Sequence, residues 1–364
     1  WAVNNLLQQI VAGAEAGSYY ALIGLAIVVV MKSTDVPNFA QAEMGLLAAY
    51  MCWWLADGDQ VGWPFWFAIL VGLLFATVFG AAVQFFLIRP LTGLSNKPLA
   101  VLASLSLGWV LIDGFQDNGL PGFIDWIPGL GGGYPYGVAI TLAILSVPLT
   151  YLIMTKWVKK MDVVDHFPLL LLTIGLTFAL GSLIEIFFGN NPQKFETPWS
   201  GVNFDLGTTR IGWDQVVSIG MGIIIAVGLA IFFRTKWGVR MRAIAEDGTT
   251  ARLLGINAGV ISLIAWAIGG LVAGAAMTLK AGSTVLELGS AEGLILKGFI
   301  AAVLGGFVSL PGTFLGGMVV GIAEAVAGGQ ISTSLQPTMA LLIVVVVLFI
   351  YPEGLTREAK LREV

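Results

Sequence analysis

The chain has 364 residues, of which 57% are hydrophobic and 11% are charged, and its formal net charge is −4. Soluble domains carry about 25% charged residues. Uncharged runs such as 216–233, 258–279 and 299–323 approach or exceed the roughly 20 apolar residues that cross a bilayer. These runs do not alternate over about ten residues as barrel strands do. The sequence therefore predicts an all-α polytopic membrane protein and excludes a water-soluble domain.

Eleven membrane segments, with nine to eleven as the range, are predicted from the apolar runs and the glycines, prolines and charges that interrupt them. The second segment is short, follows Pro37 and contains Glu43, which predicts a broken or re-entrant helix. In chain order the segments lie near 6–31, 37–55, 63–88, 99–115, 137–155, 167–188, 216–233, 258–279, 293–306, 311–329 and 336–351.

The distribution of basic residues predicts the orientation of the chain. Most lysines and arginines fall at Lys32, in the loops 89–97, 156–160 and 234–252, and in the tail 357–362. Because cytoplasmic loops carry the excess of these residues, the N-terminus is expected outside and the C-terminus inside. The Gly- and Pro-rich loops 114–137 and 189–213 then face outward.

A charged segment, residues 234–257, separates two long apolar runs. Asp247 is a typical N-cap residue and Gly255 stands where a left-handed residue ends a helix, which predicts a short helix over 249–254. Ala251 and Leu254 are expected on one face of that helix, with Arg252 off it.

Two interpretations of this segment remain open, a solvated loop or a helix that docks into a partner's groove. The two caps and the apolar end favour docking, with charged neighbours fixing the orientation. The candidate docking residues are Arg242, Glu246, Asp247, Arg252, Leu253, Leu254, Gly255 and Ile256.

Glycines spaced four apart predict close helix packing, since small residues on one face let membrane helices approach each other. The pairs are Gly270/Gly274, Gly312/Gly316 and Gly317/Gly321. With 47 glycines in the chain, chance spacing is the alternative for any one pair.

Several motifs together resemble one family, the permeases of ABC importers for branched-chain (hydrophobic) amino acids. The segment RAIAEDGTTARLLGIN resembles the family's cytoplasmic coupling loop, and the other stretches follow in the family's order along nearly the whole chain. They are QQIVAGAEAGSYYALIGLAIVVV (8–30), VPNFAQAEMGLLAAY (36–50), FFLIRPL (85–91), LLLTIGLTFALGSLIEIFFG (170–189), FIAAVLGGFVSLPGTFLGGMVVGIAEAV (299–326) and YPEGL (351–355).

The resemblance implies a type II ABC-importer-like permease fold, a second permease subunit, two cytoplasmic ATPases and an extracytoplasmic binding protein. ATP and Mg²⁺ would bind to the ATPases, because this sequence has no Gly-x-x-x-x-Gly-Lys-Ser/Thr motif. Residues 93–165 look like an extra helical hairpin relative to the family. The solute stays open among branched-chain and other amino acids, urea or short amides, and carboxylates.

Polar residues inside the membrane segments are costly, so they are candidates for the translocation path. Asn38, Gln41 and Glu43 occupy the broken second segment. The alternative is that Asn38 caps a helix and Glu43 satisfies a neighbour.

The other ionisable residues each have a structural or solvated role as an alternative to a functional one. Glu185 and Glu324 are expected in interfacial or packing roles near segment ends. Glu287, Glu292 and Lys297 either rim the outer mouth or belong to a solvated loop. His166 is expected in a solvated loop and Cys52 in the packing, so neither a metal site nor a cofactor is predicted for this chain.

Two other functional classes are considered. A secondary transporter driven by an ion gradient would suit broken helices, but it would not need a docking helix. An intramembrane enzyme would need a catalytic constellation, and the sequence offers one histidine, one cysteine and no His-Glu-x-x-His motif.

Overall fold

Helices make up most of the described chain, which comprises residues 2–34, 36–89, 167–206, 209–333 and 336–351 of a computed structural model. The helices are α1 (Ala2–Thr34), α2 (Gln41–Ala56), α3 (Phe65–Ala82), α4 (Phe167–Phe188), α5 (Trp213–Phe232), α6 (Lys236–Glu246), α7 (Gly248–Leu253), α8 (Ala258–Ser283), α9 (Ser290–Leu304), α10 (Leu310–Gln330) and α11 (Gln336–Ile350). Residues Val83–Ile88 continue α3 as a π-helix.

Each of the nine predicted membrane segments that fall on described residues is helical, while the number of membrane crossings stays a prediction. Six of the described helices are long and apolar enough to cross a membrane. The segments 99–115 and 137–155, the hairpin 93–165, the loop 114–137 and His166 lie outside the described residues.

The helix α1 is the centre of the main part of the chain, residues 1–37, 41–84 and 190–364, and it packs against α5, α8, α9 and α10. Its contact with α10 is made by glycines. A Cβ atom on Gly17 would lie 2.8 Å from the Met318 Cα, and one on Gly317 would lie 2.6 Å from the Ala21 Cα. Gly321 faces the backbone of Gly17 in the same way. The pair Gly317/Gly321 therefore does allow close packing, as its spacing predicts.

The pair Gly270/Gly274 serves the contact between α8 and α3. Gly270 faces the Ala76 carbonyl, and a Cβ atom on Gly274 would lie 2.8 Å from the Ala76 Cβ. Gly316 packs against Ala301 and Leu304 of α9. Small residues thus permit the approach of α8 to α3 and of α10 to α9.

Three apolar helices of this part, α2, α9 and α11, are too short to cross the bilayer. At 1.5 Å per residue, α2 and α9 are roughly 24 and 22 Å long, against a hydrocarbon core of about 30 Å. Non-helical residues adjoin each of them, at 36–40 before α2 and at 305–309 after α9. The second stretch contains Gly306 and Phe307 with φ of 65° and 57°. The second segment is a short helix that begins at Gln41, and α9 is likewise a short helix, while a re-entrant path for α2 stays a prediction.

A two-stranded antiparallel hairpin precedes α5. The chain is therefore not purely helical, and the all-α prediction is wrong at this point. Strand β1 (Asn203–Leu206) pairs with β2 (Thr209–Gly212). The loop before the hairpin is tied to the turn after α8, because Gln193 and Leu286 exchange backbone hydrogen bonds of 2.8 and 2.9 Å. We call the end of the helices that carries these elements the hairpin end.

Aromatic side chains cluster at the hairpin end. The Phe65 ring stacks on Phe195 with centroids 5.8 Å apart and meets Trp199 edge-on at 5.5 Å. Phe204 packs against Trp213 at 5.7 Å. Such rings are enriched at membrane–water interfaces, which indicates that this end lies at a membrane surface.

A second part of the chain comprises residues 38–40 and 85–189. Its described elements are the end of the π-helix and α4. Gly189 follows α4 with φ of 78° and donates to the Glu185 carbonyl at 2.8 Å. The Glu185 side chain is exposed in the last turn of α4, near the segment end as predicted.

Cysteine labelling of intact cells tests the predicted orientation, with the N-terminus outside. Ser200→Cys at the hairpin end should react with an impermeant thiol reagent, while Ala245→Cys in α6 should react only after permeabilisation. Both positions are exposed, and the native Cys52 is buried, so the background is low. If Ala245→Cys alone were labelled in intact cells, the orientation would be the opposite of the predicted one.

Candidate functional site

The charged segment 234–257 folds as two short helices, α6 and α7, after the end of α5 that lies away from the hairpin. The Asp247 carboxylate caps α7 by accepting hydrogen bonds from the Thr249 and Thr250 amides at 2.8 and 3.0 Å, and from the Thr250 hydroxyl. These bonds, first of all the one from the hydroxyl, lower the pKa of Asp247. The cap is therefore ionised at neutral pH, and it is lost as pH falls through the lowered pKa.

The other end of α7 closes with a left-handed glycine. Gly255 has φ of 82°, and its amide and that of Ile256 donate to the Arg252 and Ala251 carbonyls at 3.0 and 3.1 Å. Such a stop needs a residue that tolerates positive φ. Both predicted caps and the helix between them are confirmed.

The apolar end of α7 points away from the rest of the described chain. Leu253 is 83% exposed and Leu254 is 76% exposed. Ala251 is 2% exposed, so the prediction that it shares a face with Leu254 is wrong: Ala251 anchors the helix while Leu254 is free to contact a partner. The remaining candidates on this surface are Arg242, Glu246, Asp247 and Arg252, which are exposed, and Ile256, which is half-buried.

Sequence analysis missed the helix α6, which anchors the segment. Its Gly238 and Met241 are buried, while Trp237 is 41% exposed and receives the Arg240 guanidinium over its ring at 5.2 Å. In the sequence, the buried face of α6 is marked by the three-residue spacing of Gly238 and Met241. That spacing is too short to establish a helical period.

The three predicted path residues occupy different parts of the chain. Gln41 and Glu43 lie in the first turn of α2 and are 0% and 4% exposed. The Glu43 Oε2 atom has no hydrogen-bond partner among the described residues. Asn38 belongs to the second part of the chain, is buried, and its side-chain oxygen accepts a bond from the Ala40 amide at 3.0 Å. That turn fits the capping alternative for Asn38.

A triad of the half-buried Lys297 and the buried Glu324 and Tyr20 joins three helices, and sequence analysis did not find it. The Lys297 ammonium of α9 donates to Glu324 Oε2 of α10 at 2.9 Å and to the Tyr20 hydroxyl of α1 at 3.0 Å. The Tyr20 hydroxyl donates to the same Glu324 oxygen at 2.9 Å. Lys297 therefore does not belong to a solvated loop, and Glu324 is fully packed. The three residues are on different helices and far apart along the chain, so the sequence carries no signal that brings them together.

Other polar groups gather at the hairpin end. The Tyr19 hydroxyl lies 2.9 Å from each of Glu15 Oε1, Ser218 Oγ and Ser283 Oγ, which ties α1 to α5 and α8. Glu287, in the turn between α8 and α9, and Glu292, in the first turn of α9, are both exposed here.

An open cavity of about 510 Å³ is also found at the hairpin end, lined by residues 56–59 and 193–196 together with Trp53. No group of three His, Cys, Asp or Glu side chains that could hold a metal is found within the described ranges.

Comparisons with known proteins point to one family. The family model for the permease component of branched-chain amino-acid transport systems matches residues 94–351. The chain is 25% identical to the high-affinity branched-chain amino-acid permease LivH of Escherichia coli K12, over 98% of this chain and 97% of the relative. It is 26% identical to BraD of Pseudomonas aeruginosa, over 100% and 99%. The ribose import permease RbsC of Escherichia coli K12 is 28% identical over 42% and 47%. No solved structure matches.

Proposed function

The chain belongs to the family of permease components of branched-chain amino-acid transport systems, and from this premise we propose that it is the membrane-spanning subunit of an ATP-driven importer. It is a multi-pass protein of the cell membrane. The solute we propose is small, such as a branched-chain amino acid. Solute translocation, rather than chemistry on the solute, is the role of this subunit.

The observation that carries the proposal is the capped helix α7 with two exposed leucines at its end. Exposed apolar residues in a helix held at both ends fit a groove on a partner protein better than they fit solvent. We propose that this segment docks onto the ABC ATPase and transmits the conformational change of the ATPase to the membrane helices of the permease. The charged residues around it fix the orientation.

Four partners complete the proposed importer. Two cytoplasmic ATPase subunits bind ATP and Mg²⁺ and meet α7. A second permease subunit, identical or paralogous, forms the other wall of the path. An extracytoplasmic binding protein delivers the solute at the hairpin end, where the polar cavity lined by 56–59 and 193–196 lies. The extra helical hairpin predicted for residues 93–165 is proposed to serve assembly or lipid contact.

The proposed path includes Asn38, Gln41 and Glu43. Buried polar groups at the start of a short helix can line a water-filled route, where a broken helix is tolerated in the membrane. The Glu43 Oε2 atom, which has no hydrogen-bond partner among the described residues, supports this role, because a buried oxygen of this kind is costly unless function retains it.

An ion-driven secondary transporter is the second candidate, favoured by the short helices α2 and α9. Uptake into proteoliposomes separates the two classes. We expect uptake to require ATP on the side of α7, the ATPase subunits and the loaded binding protein, and to persist when ionophores collapse ion gradients. Uptake that is driven by an ion gradient without the ATPases would contradict the importer proposal and support the secondary transporter.

Substitution of Glu43 tests the path. Glu43→Ala should lower uptake at least about tenfold, the effect of losing one hydrogen bond to a charged group, while the ATPases still co-purify. Glu185→Ala, an exposed glutamate of α4, is the matched control and should transport normally. Normal uptake by Glu43→Ala would remove this residue from the path.

A further inference from the structure

A second cavity at the hairpin end, of about 350 Å³, is lined mostly by apolar side chains. Helix α8 packs against both α3 and α5, and residues of all three helices line the cavity together with Phe195, Thr197 and Trp199 of the loop before the hairpin. All of these residues belong to the main part of the chain. Ligand sites have volumes of about 300–1,000 Å³, so the cavity is large enough to hold a ligand.

The hydroxyl groups on the wall of this cavity each bond to a residue that does not line it. The pairs are Ser218 with the Tyr19 hydroxyl at 2.9 Å, Thr278 with Cys52 Sγ at 3.7 Å and Thr197 with Ser200 at 2.8 Å. Among the described residues, no charged side chain lines the cavity. Since apolar cavities stay dry and bind apolar ligands, its ligand is expected to be apolar. A zwitterionic amino acid does not fit this description.

The cavity opens at the apolar surfaces of α3 and α5. Its inner wall includes Ala275 of α8, which is 9% exposed, whereas Trp66 of α3 and Met221 of α5 line its rim and are 68% and 40% exposed. Exposed aliphatic residues, such as Leu70 and Ile224, continue the surfaces of these two helices. Both helices are long and apolar enough to cross a membrane, so the rim borders the hydrocarbon of the bilayer.

The loop before the hairpin forms the end of the cavity that is nearest to the membrane surface. Gly282 lets this loop approach α8, because a Cβ atom there would lie 2.8 Å from Thr197 Cγ2. The Phe195 ring is buried, and the rings of Trp199 and Trp66 have centroids 5.8 Å apart. Aromatic rings of this kind are enriched at the membrane–water interface. The cavity is therefore reached from the bilayer, just below that interface.

We propose that this cavity binds one acyl chain of a membrane phospholipid. The chain enters between Trp66 and Met221 and packs against Ala275 and Leu279 of α8. It supplies the apolar contacts that a cavity of this size would otherwise lack, and it stabilises the packing of α3 and α5 on α8, because a ligand of the folded state raises stability. This lipid site goes beyond the proposed importer function and does not depend on it.

Photolabelling of the purified chain in nanodiscs tests the proposal. The probe is a phosphatidylethanolamine with a diazirine in one acyl chain, and mass spectrometry locates the labelled residues. We expect label on Ala275 and Thr278, which are buried and are reached by lipid only through the cavity. Val227, which is exposed on α5, should be labelled as the surface reference. Label on Val227 without label on Ala275 and Thr278 would overturn the proposal.

A variant that fills the cavity locates the site. Val217 lines the cavity from α5, so Val217→Phe should lower the labelling of Ala275 and Thr278 about tenfold, the change expected when roughly two methylene groups of the lipid lose their apolar contacts. Val227→Phe is the matched control, because it makes the same substitution on the same helix outside the cavity. Labelling of α8 should be normal in this control. Equal labelling of α8 in Val217→Phe and in the wild type would contradict the assignment.

Thermal unfolding gives an independent measurement. Phosphatidylethanolamine added to the delipidated protein in detergent should raise the unfolding temperature of the wild type and of Val227→Phe more than that of Val217→Phe. Should Val217→Phe fail to fold, Ala275→Leu fills the cavity from α8 and is expected to have the same effects. If every folded cavity-filling variant matched the wild type in both labelling and stabilisation by lipid, the cavity would not be a lipid site.

Discussion

Gly17→Leu is expected to prevent α1 and α10 from packing, with the largest loss of stability of any single change considered. A Cβ atom there would lie 2.8 Å from the Met318 Cα and 2.9 Å from the Gly317 carbonyl oxygen. Both are backbone atoms, so the helices must separate. Overpacking costs about 1–3 kcal/mol and occasionally more, and the upper end is expected here. The measurement is the unfolding temperature of the protein in detergent, with its yield as a monodisperse species.

The control for this change is Gly228→Leu in α5. Nothing in the described chain lies within 4 Å of a Cβ atom at Gly228, and leucine is a better helix former than glycine by roughly 1 kcal/mol. The control should therefore unfold at the same temperature as the wild type or slightly above it. Equal losses at both positions would show that close packing of α1 on α10 is not what Gly17 provides.

Leu254→Asp is expected to release the ATPases, because it places a carboxylate in the proposed docking groove. Burying one leucine side chain contributes roughly 1.5–3 kcal/mol, which corresponds to a loss of about tenfold to a hundredfold in affinity. The aspartate adds its own desolvation cost. The measurements are co-purification of the ATPase subunits and ATP hydrolysis stimulated by the loaded binding protein.

Arg252→Ala is the matched control on the same helix. An exposed charge pair contributes only about 0–1 kcal/mol, so this variant should keep most of the affinity. The circular dichroism of both variants should match the wild type, since Leu254 and Arg252 are exposed. If Leu254→Asp retains both co-purification and stimulated hydrolysis, α7 is not the docking element.

Local features of the fold could be predicted from the sequence. The helix over 249–254 follows from Asp247 and Gly255, whose effects act within one turn. The membrane segments follow from uninterrupted apolar runs, which need no knowledge of neighbours. Glycine spacing indicated a close approach on α10, but it could not say that the partner is α1.

Features that depend on distant residues could not be predicted. Lys297 and Glu324 are on different helices, and neither has a charged neighbour in its own apolar run that would reveal the pairing. Helical spacing predicted that Ala251 and Leu254 share one face. Spacing does not tell which side of a helix is covered by the rest of the chain, and here Ala251 is on the covered side. The hairpin β1–β2 and the helix α6 are short, and their apolar periods are too brief to distinguish from loop sequence.

Site-specific cross-linking at Leu254 tests the central claim most directly. A photoreactive amino acid at this position, in cells that contain the full transport system, should form a covalent product with the ATPase subunit. The same amino acid at Ser200, an exposed residue at the hairpin end, should form none with that subunit. A complex in which the ATPase co-purifies but is captured from position 200 and not from 254 would contradict the account.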